Sequence, residues 1–140
     1  MTTFNTSRNI PANPAAVFAA ISQPEHLARW WGPAGFTNTV SLCEFKKDGR
    51  WTLTMHGPDG TNYPNEYVFL DIDAPNKVVV QHVHEPRFVL TIGLVPSAEG
   101  TTVTWSQAFE DAELAARIEP IVVPANEQNL DRLTAEVLKA

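Results

Sequence analysis

The stretch EHLARWWGPAGF, from Glu25 to Phe36, places two tryptophans side by side and follows them immediately with Gly-Pro. These two residues are half of the chain's four tryptophans, and their large apolar rings favour burial. Pro24 suits the first turn of a helix, whereas Gly32 and Pro33 favour its end. We therefore expect a short helix that ends at the tryptophan pair, followed by a sharp turn into a strand that begins near Phe36.

The residues before this stretch predict one strand and one further helix. Residues 3–10 alternate loosely between polar and apolar side chains, which favours a strand. Asn13 is suited to cap a helix, and Pro14 is suited to its first position. An apolar side at helical spacing follows, made by Val17, Phe18 and Ile21. The predicted order is thus a strand and then two short helices.

From Phe36 onward the hydrophobic period changes to two, which is typical of strands. Turn sequences divide this region: GPDG at 57–60, APN at 74–76 and SAEG at 97–100. Short connections of this kind join antiparallel strands. About six strands are therefore predicted, over 36–45, 51–56, 63–72, 77–84, 87–96 and 101–109.

The C-terminal residues have a helical pattern that two prolines interrupt. Its buried side is marked by Leu130, Leu133 and Val137. Pro120 and Pro124 each lack a backbone donor and clash with the preceding turn, which costs about 3 kcal/mol inside a regular helix. We expect a short helix over 111–118, a break, and a main helix over 125–138. The apolar run 121–123 is predicted to be a loop that shields the core or a gate at the mouth of a pocket.

Together these elements predict a single α+β domain over residues 1–140. An antiparallel sheet must cover its apolar face, and the C-terminal helix is the long amphipathic element available for this. The expected architecture is a curved antiparallel sheet of six to seven strands wrapped around that helix. Such a sheet cannot pack flat everywhere, so a ligand pocket is expected in the remaining gap.

The charge and composition of the chain argue against several classes of partner. Its formal net charge is -6 and its pI is near 5.1, with no cluster of Lys or Arg, so we expect neither nucleic acid nor a membrane surface as a partner. No apolar run is long enough to span a bilayer, and the N-terminus has no signal-peptide pattern. The single cysteine, Cys43, excludes an internal disulfide and fits a reducing compartment. We therefore expect a cytoplasmic protein.

Three segments carry a resemblance to a known family: PEHLARWWGPAGFT, GRWTLTMHGPDGTNYPNEYVFLDIDAPNKVVV and NLDRLTAEVL. Over about residues 10–138 the chain resembles the START-like superfamily, and within it the family named after the C-terminal domain of the activator of the Hsp90 ATPase. The resemblance implies a helix-grip fold with a deep cavity between the sheet and the C-terminal helix. It implies no single activity, because members bind or transform varied apolar ligands. The C-terminal helix of the family is usually continuous, so the two internal prolines are a departure.

The alternation of the last two strands predicts which of their side chains face the helix. Those residues are Phe88, Leu90, Ile92, Leu94, Val103, Trp105, Gln107 and Phe109. For the tryptophan pair two interpretations remain: both rings belong to the core, or one of them, Trp31 or Trp30, plugs one end of the cavity. The candidate ligand-binding residues are Trp31, Met55, His82, Phe88, Trp105, Gln107 and Phe109.

Two histidines on one predicted strand are the main candidates for chemistry. His82 and His84 lie on the same face in alternation, and two such imidazoles could hold a metal or act as acid and base. The alternative is that His84 is solvated near the strand end and that His82 is hydrogen-bonded in a polar patch. No third metal ligand is evident among His56, Glu66 and Glu85, so no metal and no cofactor are predicted.

Glu66 is a further candidate base if it points into the cavity. Its strand carries apolar residues on both faces, with Val68 and Leu70 on one and Tyr67 and Phe69 on the other. Alternation alone therefore leaves the orientation of Glu66 open, and no catalytic residue is assigned.

Three functions follow, in order of preference. The first is binding of a small apolar, aromatic or lipid-like molecule in the cavity, where a few polar groups would orient a hydroxyl or carbonyl. The second is an enzyme similar to the polyketide aromatases and cyclases of the superfamily, in which a His or Glu moves protons. The third is stimulation of an Hsp90 ATPase, ranked last because that activator carries an additional N-terminal domain for which 140 residues leave no room. A homodimer that hides an exposed sheet edge is compatible with the fold.

Overall fold

A curved antiparallel sheet forms one layer of the molecule, and its apolar face packs against the helices. The computed structural model describes residues 2–139. Within this range the seven strands are Thr2–Ile10 (β1), Thr37–Cys43 (β2), Arg50–His56 (β3), Asn62–Asp73 (β4), Lys77–His82 (β5), Phe88–Ser97 (β6) and Gly100–Phe109 (β7). They lie in the order β1-β7-β6-β5-β4-β3-β2, and all neighbours are antiparallel. The predicted α+β architecture is confirmed.

Helices cover the inner face of this sheet. Those in the described part of the chain are Pro14–Ser22 (α1), Pro24–Trp30 (α2) and Ala112–Leu138 (α3). The side-chain oxygen of Asn13 accepts a hydrogen bond from the Ala16 N–H at 2.8 Å, which confirms the predicted cap of α1. α2 ends at Trp30, as the following Gly-Pro pair predicts. No helix among residues 2–139 combines the length and apolar character that a membrane span requires.

α3 runs unbroken through both of its internal prolines, so the break predicted between 118 and 125 is wrong. Pro120 and Pro124 lie on the exposed side of the helix, where the carbonyl groups that lose a partner can bond to water. On the opposite side, buried or half-buried residues continue at helical spacing through this region, namely Ala115, Ile118, Val122 and Asn126. Burial of this continuous stripe outweighs the local cost of the prolines.

The inner face of the sheet carries a connected chain of aromatic rings that includes all four tryptophans. The ring centroids of neighbours in this chain lie between 4.7 and 6.3 Å apart. Trp31 is at its centre, because its ring meets the rings of Trp30, Trp51, Tyr67 and Trp105. The inward residues predicted for β6 and β7 are all buried, which confirms the register of both strands.

The turn between α2 and β2 is held by one side chain of α3. The guanidinium of Arg132 donates hydrogen bonds of 2.8–3.2 Å to five backbone carbonyl oxygens, those of Arg29, Trp31, Gly32, Pro33 and Phe36. Burial lowers the pKa of Arg132, but a guanidinium stays charged at any physiological pH. The turn is thus built around a cation that its carbonyl dipoles solvate.

Two neighbouring side chains of α3 complete the contacts to this turn. Asn129 accepts a hydrogen bond from the Gly32 N–H at 2.8 Å, and Gln128 accepts one from the Ala34 N–H at 3.0 Å. Gly32 has a φ of 99°, and a Cβ there would lie 2.8 Å from the Met55 Cε, so both backbone conformation and space favour glycine. The chain direction after Trp31 is therefore set by α3 and by this glycine.

A buried carboxylate joins α2 to the end of α3. Glu136 accepts hydrogen bonds from His26 Nδ1 and Arg29 Nη1, each at 2.7 Å, and its side chain is 5% exposed. Burial acts to raise the pKa of Glu136, but the hydrogen bonds from His26 and Arg29 outweigh it and hold the pKa below its ordinary value. The ionised carboxylate therefore stabilises the fold.

Replacing Pro124 by alanine restores a backbone donor to α3 at an exposed position. We expect Pro124→Ala to raise the free energy of unfolding by about 1–2 kcal/mol, less than the full cost of an internal proline because the unfolded chain also gains freedom. Urea denaturation measures this change in the free energy of unfolding. Pro24→Ala is the matched control, since the first turn of a helix has no acceptor for the restored N–H. Equal effects of the two substitutions would contradict the explanation.

Removing the guanidinium should release the turn after Trp31. We expect Arg132→Met to lower the free energy of unfolding by about 2–3 kcal/mol, because five carbonyl groups lose a charged donor at once. Arg117→Met tests the same change at an exposed position of the same helix and should stay within about 0.5 kcal/mol. Urea denaturation measures the free energy of unfolding of both variants. An equal decrease in the two would contradict the role of Arg132 in holding the turn.

The Glu136 contacts predict a dependence of stability on pH. Because the pKa is lowered in the folded state, the contribution is complete above the unfolded-state pKa of about 4.3 and is lost as the pH falls through the folded-state value. At pH 7 we expect Glu136→Gln to lower the free energy of unfolding by about 1–2 kcal/mol, since its partners are partly exposed. The difference from wild type should shrink below about pH 4. Glu119→Gln, exposed on the same helix, should show little difference at any pH.

Candidate functional site

A partly open cavity of about 140 Å³ lies between the inner face of the sheet and α3. The turn after α2, the strands β4, β6 and β7, and the middle of α3 all contribute to its walls. The lining residues are Trp31, Tyr67, Phe88, Leu90, Trp105, Gln107, Val122, Ala125, Asn126 and Asn129. The sheet thus supplies an aromatic floor, and the helix supplies short aliphatic side chains and two amides.

Four of the seven candidate ligand-binding residues line this cavity: Trp31, Phe88, Trp105 and Gln107. Met55 lies instead beneath the turn, against Gly32. Phe109 packs between Phe88 and Phe4, with ring centroids 5.3 and 5.8 Å away. His82 stacks on Phe88, with centroids 5.0 Å apart, and is absent from the lining.

The two adjacent tryptophans have different environments. Trp30 is 1% exposed, and its indole N–H donates a hydrogen bond to the Ala20 carbonyl at 2.9 Å, which ties α2 to α1. Trp31 turns toward the sheet and lines the cavity. Both rings therefore belong to the buried core, and the ring of Trp31 also forms part of the cavity lining.

Sequence reasoning missed the contribution of α3 to this site. The sequence predicts a loop at Val122. Asn126 and Asn129 are polar, and polar residues of a helix are usually exposed. The structure buries both asparagines, with 6% and 8% of their surface exposed. Their spacing of three residues on the side that carries Leu130 and Leu133 was the signal that could have identified them.

Hydrogen bonds fix the three amide side chains of the cavity. Asn126 Nδ2 donates to Gln107 Oε1 at 3.0 Å, which links α3 to β7. Asn129 Oδ1 accepts from the Gly32 N–H, so this side chain touches both the cavity and the turn. Asn126 also lines a smaller groove of about 80 Å³ between β1 and α3. The two amides of α3 and the adjoining Gln107 of β7 thus form a polar wall beside the aromatic floor.

The cavity lining carries no charged side chain within the described residues. Tyr67 is its one ionisable lining residue, and burial raises the pKa of its phenol, so the group stays neutral at physiological pH. Ions are strongly disfavoured in such surroundings because no opposite charge can compensate for their lost hydration. The site is suited to neutral molecules.

The two histidines that were candidates for chemistry lie apart from each other. β5 ends at His82, so His84 leaves the strand, and its side chain is 67% exposed. His82 is 6% exposed, and its Nδ1 donates to the Pro86 carbonyl at 2.8 Å while its Nε2 lies 2.7 Å from Asn65 Oδ1. The structure therefore matches the interpretation of a hydrogen-bonded His82 and a solvated His84.

The other candidate groups lie on the outer face of the sheet. Tyr67 is buried and Glu66 points outward, where Glu66 Oε2 lies 2.8 Å from Arg50 Nη2. His56 Nε2 lies 2.7 Å from Thr39 Oγ1, and neither residue lines the cavity. Among residues 2–139, no three His, Cys, Asp or Glu side chains are grouped so that they could hold a metal ion.

Solved structures of the same fold cover nearly the whole chain. A solution NMR structure of a protein from Arthrobacter aurescens has a TM-score of 0.90 at 24% identity, covering 99% of this chain and 87% of that one. A crystal structure of a protein from Nitrosomonas europaea has a TM-score of 0.86 at 17% identity, covering 98% and 94%. The AHSA1-like protein from Aeromonas hydrophila, solved by NMR, has a TM-score of 0.79 at 20% identity, covering 99% and 93%. At these identities the likeness shows the fold alone.

Among functionally curated proteins, no sequence matches this chain significantly. The sequence profile of the family described as "Activator of Hsp90 ATPase homolog 1-like protein" matches residues 11–137. This match confirms the resemblance carried by the RWWGP and MHGPDGTNYPNE motifs. The chain belongs to the activator of Hsp90 ATPase homolog 1-like family and has its START-like, helix-grip fold.

Proposed function

We propose that this protein binds a small molecule built on a single aromatic ring, in the cavity between the sheet and α3. The observation that supports this most directly is the cavity itself, whose lining combines an aromatic floor with three amide side chains. Concave sites with mostly apolar walls and a few placed polar groups are the usual form of small-molecule sites. The polar wall would orient a carbonyl or hydroxyl of the ligand.

The size of the cavity limits the ligand. Its volume of about 140 Å³ is close to that of a dry engineered cavity of about 150 Å³ that holds benzene. Pockets for drug-sized molecules measure about 300–1,000 Å³. A one-ring compound therefore fits, whereas a lipid chain or a folded polyketide would extend out of the cavity through its open side.

The lining also favours binding over proton-transfer catalysis. A general base must reach the proton it removes, and the described residues place no His, Glu, Asp or Lys in the cavity wall. His82, the best base candidate, is held by Pro86 and Asn65. A polyketide cyclase-like activity thus has no evident catalytic group, and stimulation of an Hsp90 ATPase is supported by the family name alone.

Filling the cavity tests this function. Small molecules released from natively purified protein would be identified by mass spectrometry, and one-ring probes such as toluene would be titrated into the empty protein. We expect Ala125→Phe to abolish binding, because the new ring occupies the cavity. Ala116→Phe, on the exposed side of the same helix, should bind like wild type.

The indole N–H signals of Trp31 and Trp105 report binding in the titration, because both residues line the cavity. Circular dichroism checks that each variant is folded. Equal binding by Ala125→Phe and wild type would place the ligand elsewhere and contradict the proposal.

A further inference from the structure

The polar wall of the cavity has more hydrogen-bonding capacity than the protein itself uses. Asn129 Oδ1 accepts a hydrogen bond from the Gly32 N–H, so both hydrogens of Asn129 Nδ2 can still be donated. Asn126 Nδ2 donates a hydrogen bond to Gln107 Oε1. Gln107 Nε2 and Asn126 Oδ1 take no part in this bond and can still form hydrogen bonds. Within residues 2–139 none of these three atoms has a hydrogen-bond partner.

These unpartnered atoms face free space rather than packed protein. In the described part of the chain, three side-chain nitrogen or oxygen atoms are fully enclosed and have no hydrogen-bond partner. They are Asn38 Oδ1, Trp51 Nε1 and Trp105 Nε1. The amides of Gln107, Asn126 and Asn129 are not among them, although each residue is at least nine-tenths buried. The space that remains to them is the cavity and, for Asn126, the adjoining groove beside β1.

Two amide nitrogens and one amide oxygen without a protein partner therefore belong to side chains that line one ring-sized space. Gln107 and Asn126 are hydrogen-bonded to each other, so the free nitrogen of one and the free oxygen of the other lie within reach of one small polar group. A ligand that leaves these atoms unpaired gives up the hydration they have in the empty cavity. The wall thus discriminates between molecules of equal shape by their polar atoms.

We propose that the cavity selects a neutral one-ring molecule with a hydrogen-bond acceptor and donor close together, as in a carboxamide or a lactam. Its acceptor faces the amide nitrogens of Gln107 and Asn129, and its donor faces Asn126 Oδ1. Carboxylates and ammonium ions are rejected because the lining provides no opposite charge. This assignment of ligand class rests on the proposed binding function.

Four probes of nearly equal shape separate these requirements. Benzamide has both donor and acceptor, acetophenone lacks the donor, isopropylbenzene lacks both, and benzoate is charged. Titration at pH 7, followed by the indole N–H signals of Trp31 and Trp105, gives each Kd. We expect benzamide to bind at least five-fold more tightly than acetophenone or isopropylbenzene, and benzoate to give no saturable shift.

A double variant tests whether the amides cause the preference. Gln107→Met with Asn126→Leu replaces both hydrogen-bonding partners by apolar groups of similar shape, a change that is often nearly neutral for stability. This variant should bind benzamide at least five-fold more weakly than wild type while it retains isopropylbenzene. Gln81→Met, on the outer face of β5, is the control and should bind all four probes like wild type.

The outcomes distinguish the ligand class from the function. If isopropylbenzene or acetophenone binds wild type as tightly as benzamide, or if the double variant keeps the preference, the ligand class is overturned and the binding function stands. If none of the four probes shifts either indole signal, the binding function is overturned and the ligand class with it.

Discussion

The contact between Arg132 and the turn after Trp31 joins two parts of the chain that are 96 to 103 residues apart. A chain that reverses between a helix and a strand directs several carbonyl groups toward one point, and they are unfavourable there without donors. The two terminal nitrogens of the guanidinium carry four N–H groups in a rigid fork and reach all five carbonyl groups, with hydrogens of Nη1 shared among three of them. An ammonium offers three N–H groups from one atom. The helix α3 and the turn therefore become ordered together, and the position of Trp31 follows from both.

The cavity results from the different shapes of the two surfaces that meet. Large flat rings from β3, β4 and β7 pack against Trp31 and fill one end of the interface. Toward the middle of α3, the helix presents Val122 and Ala125, which are too short to reach the floor. Space remains between them, and the amides of the neighbouring turn of α3 keep it from being purely apolar.

Features of this fold that depend on local pattern were predictable from the sequence. Period-two alternation identified the buried face of β6 and β7, because large apolar residues dominate that face, whereas the other face mixes Thr, Ser, Gly, Ala and Val. The same argument failed for Glu66, since both faces of β4 carry apolar residues, and only its pairing with β3 and β5 settles the orientation. For α3, local propensity gave the wrong answer at Pro120 and Pro124 because tertiary burial on the opposite side decides the outcome.

The site itself was only partly predictable, for a related reason. The strand residues of the cavity follow from alternation, but the helix residues depend on which side of α3 faces the sheet. Because the sequence predicts a break in the helix around Val122, it does not indicate which side of α3 faces the sheet there. Asn126 and Asn129 are polar, so their burial is not expected from the sequence. The role of Arg132 was not predictable either. Nothing in a sequence shows that a single arginine donates its hydrogen bonds to backbone carbonyl groups rather than to a carboxylate.

One helix thus performs two tasks along its length, and Asn129 takes part in both. Asn129 and Arg132 hold the turn, so substitutions there disturb the architecture. Val122 and Ala125, one to two turns before Asn129, line the cavity, and Val122 also packs against the core. Under the proposed binding function, a change at Ala125 alters the shape of the cavity at a position that makes no hydrogen bond to the turn. A solved structure that shares only 17% identity with this chain keeps the same fold, so the architecture tolerates extensive substitution.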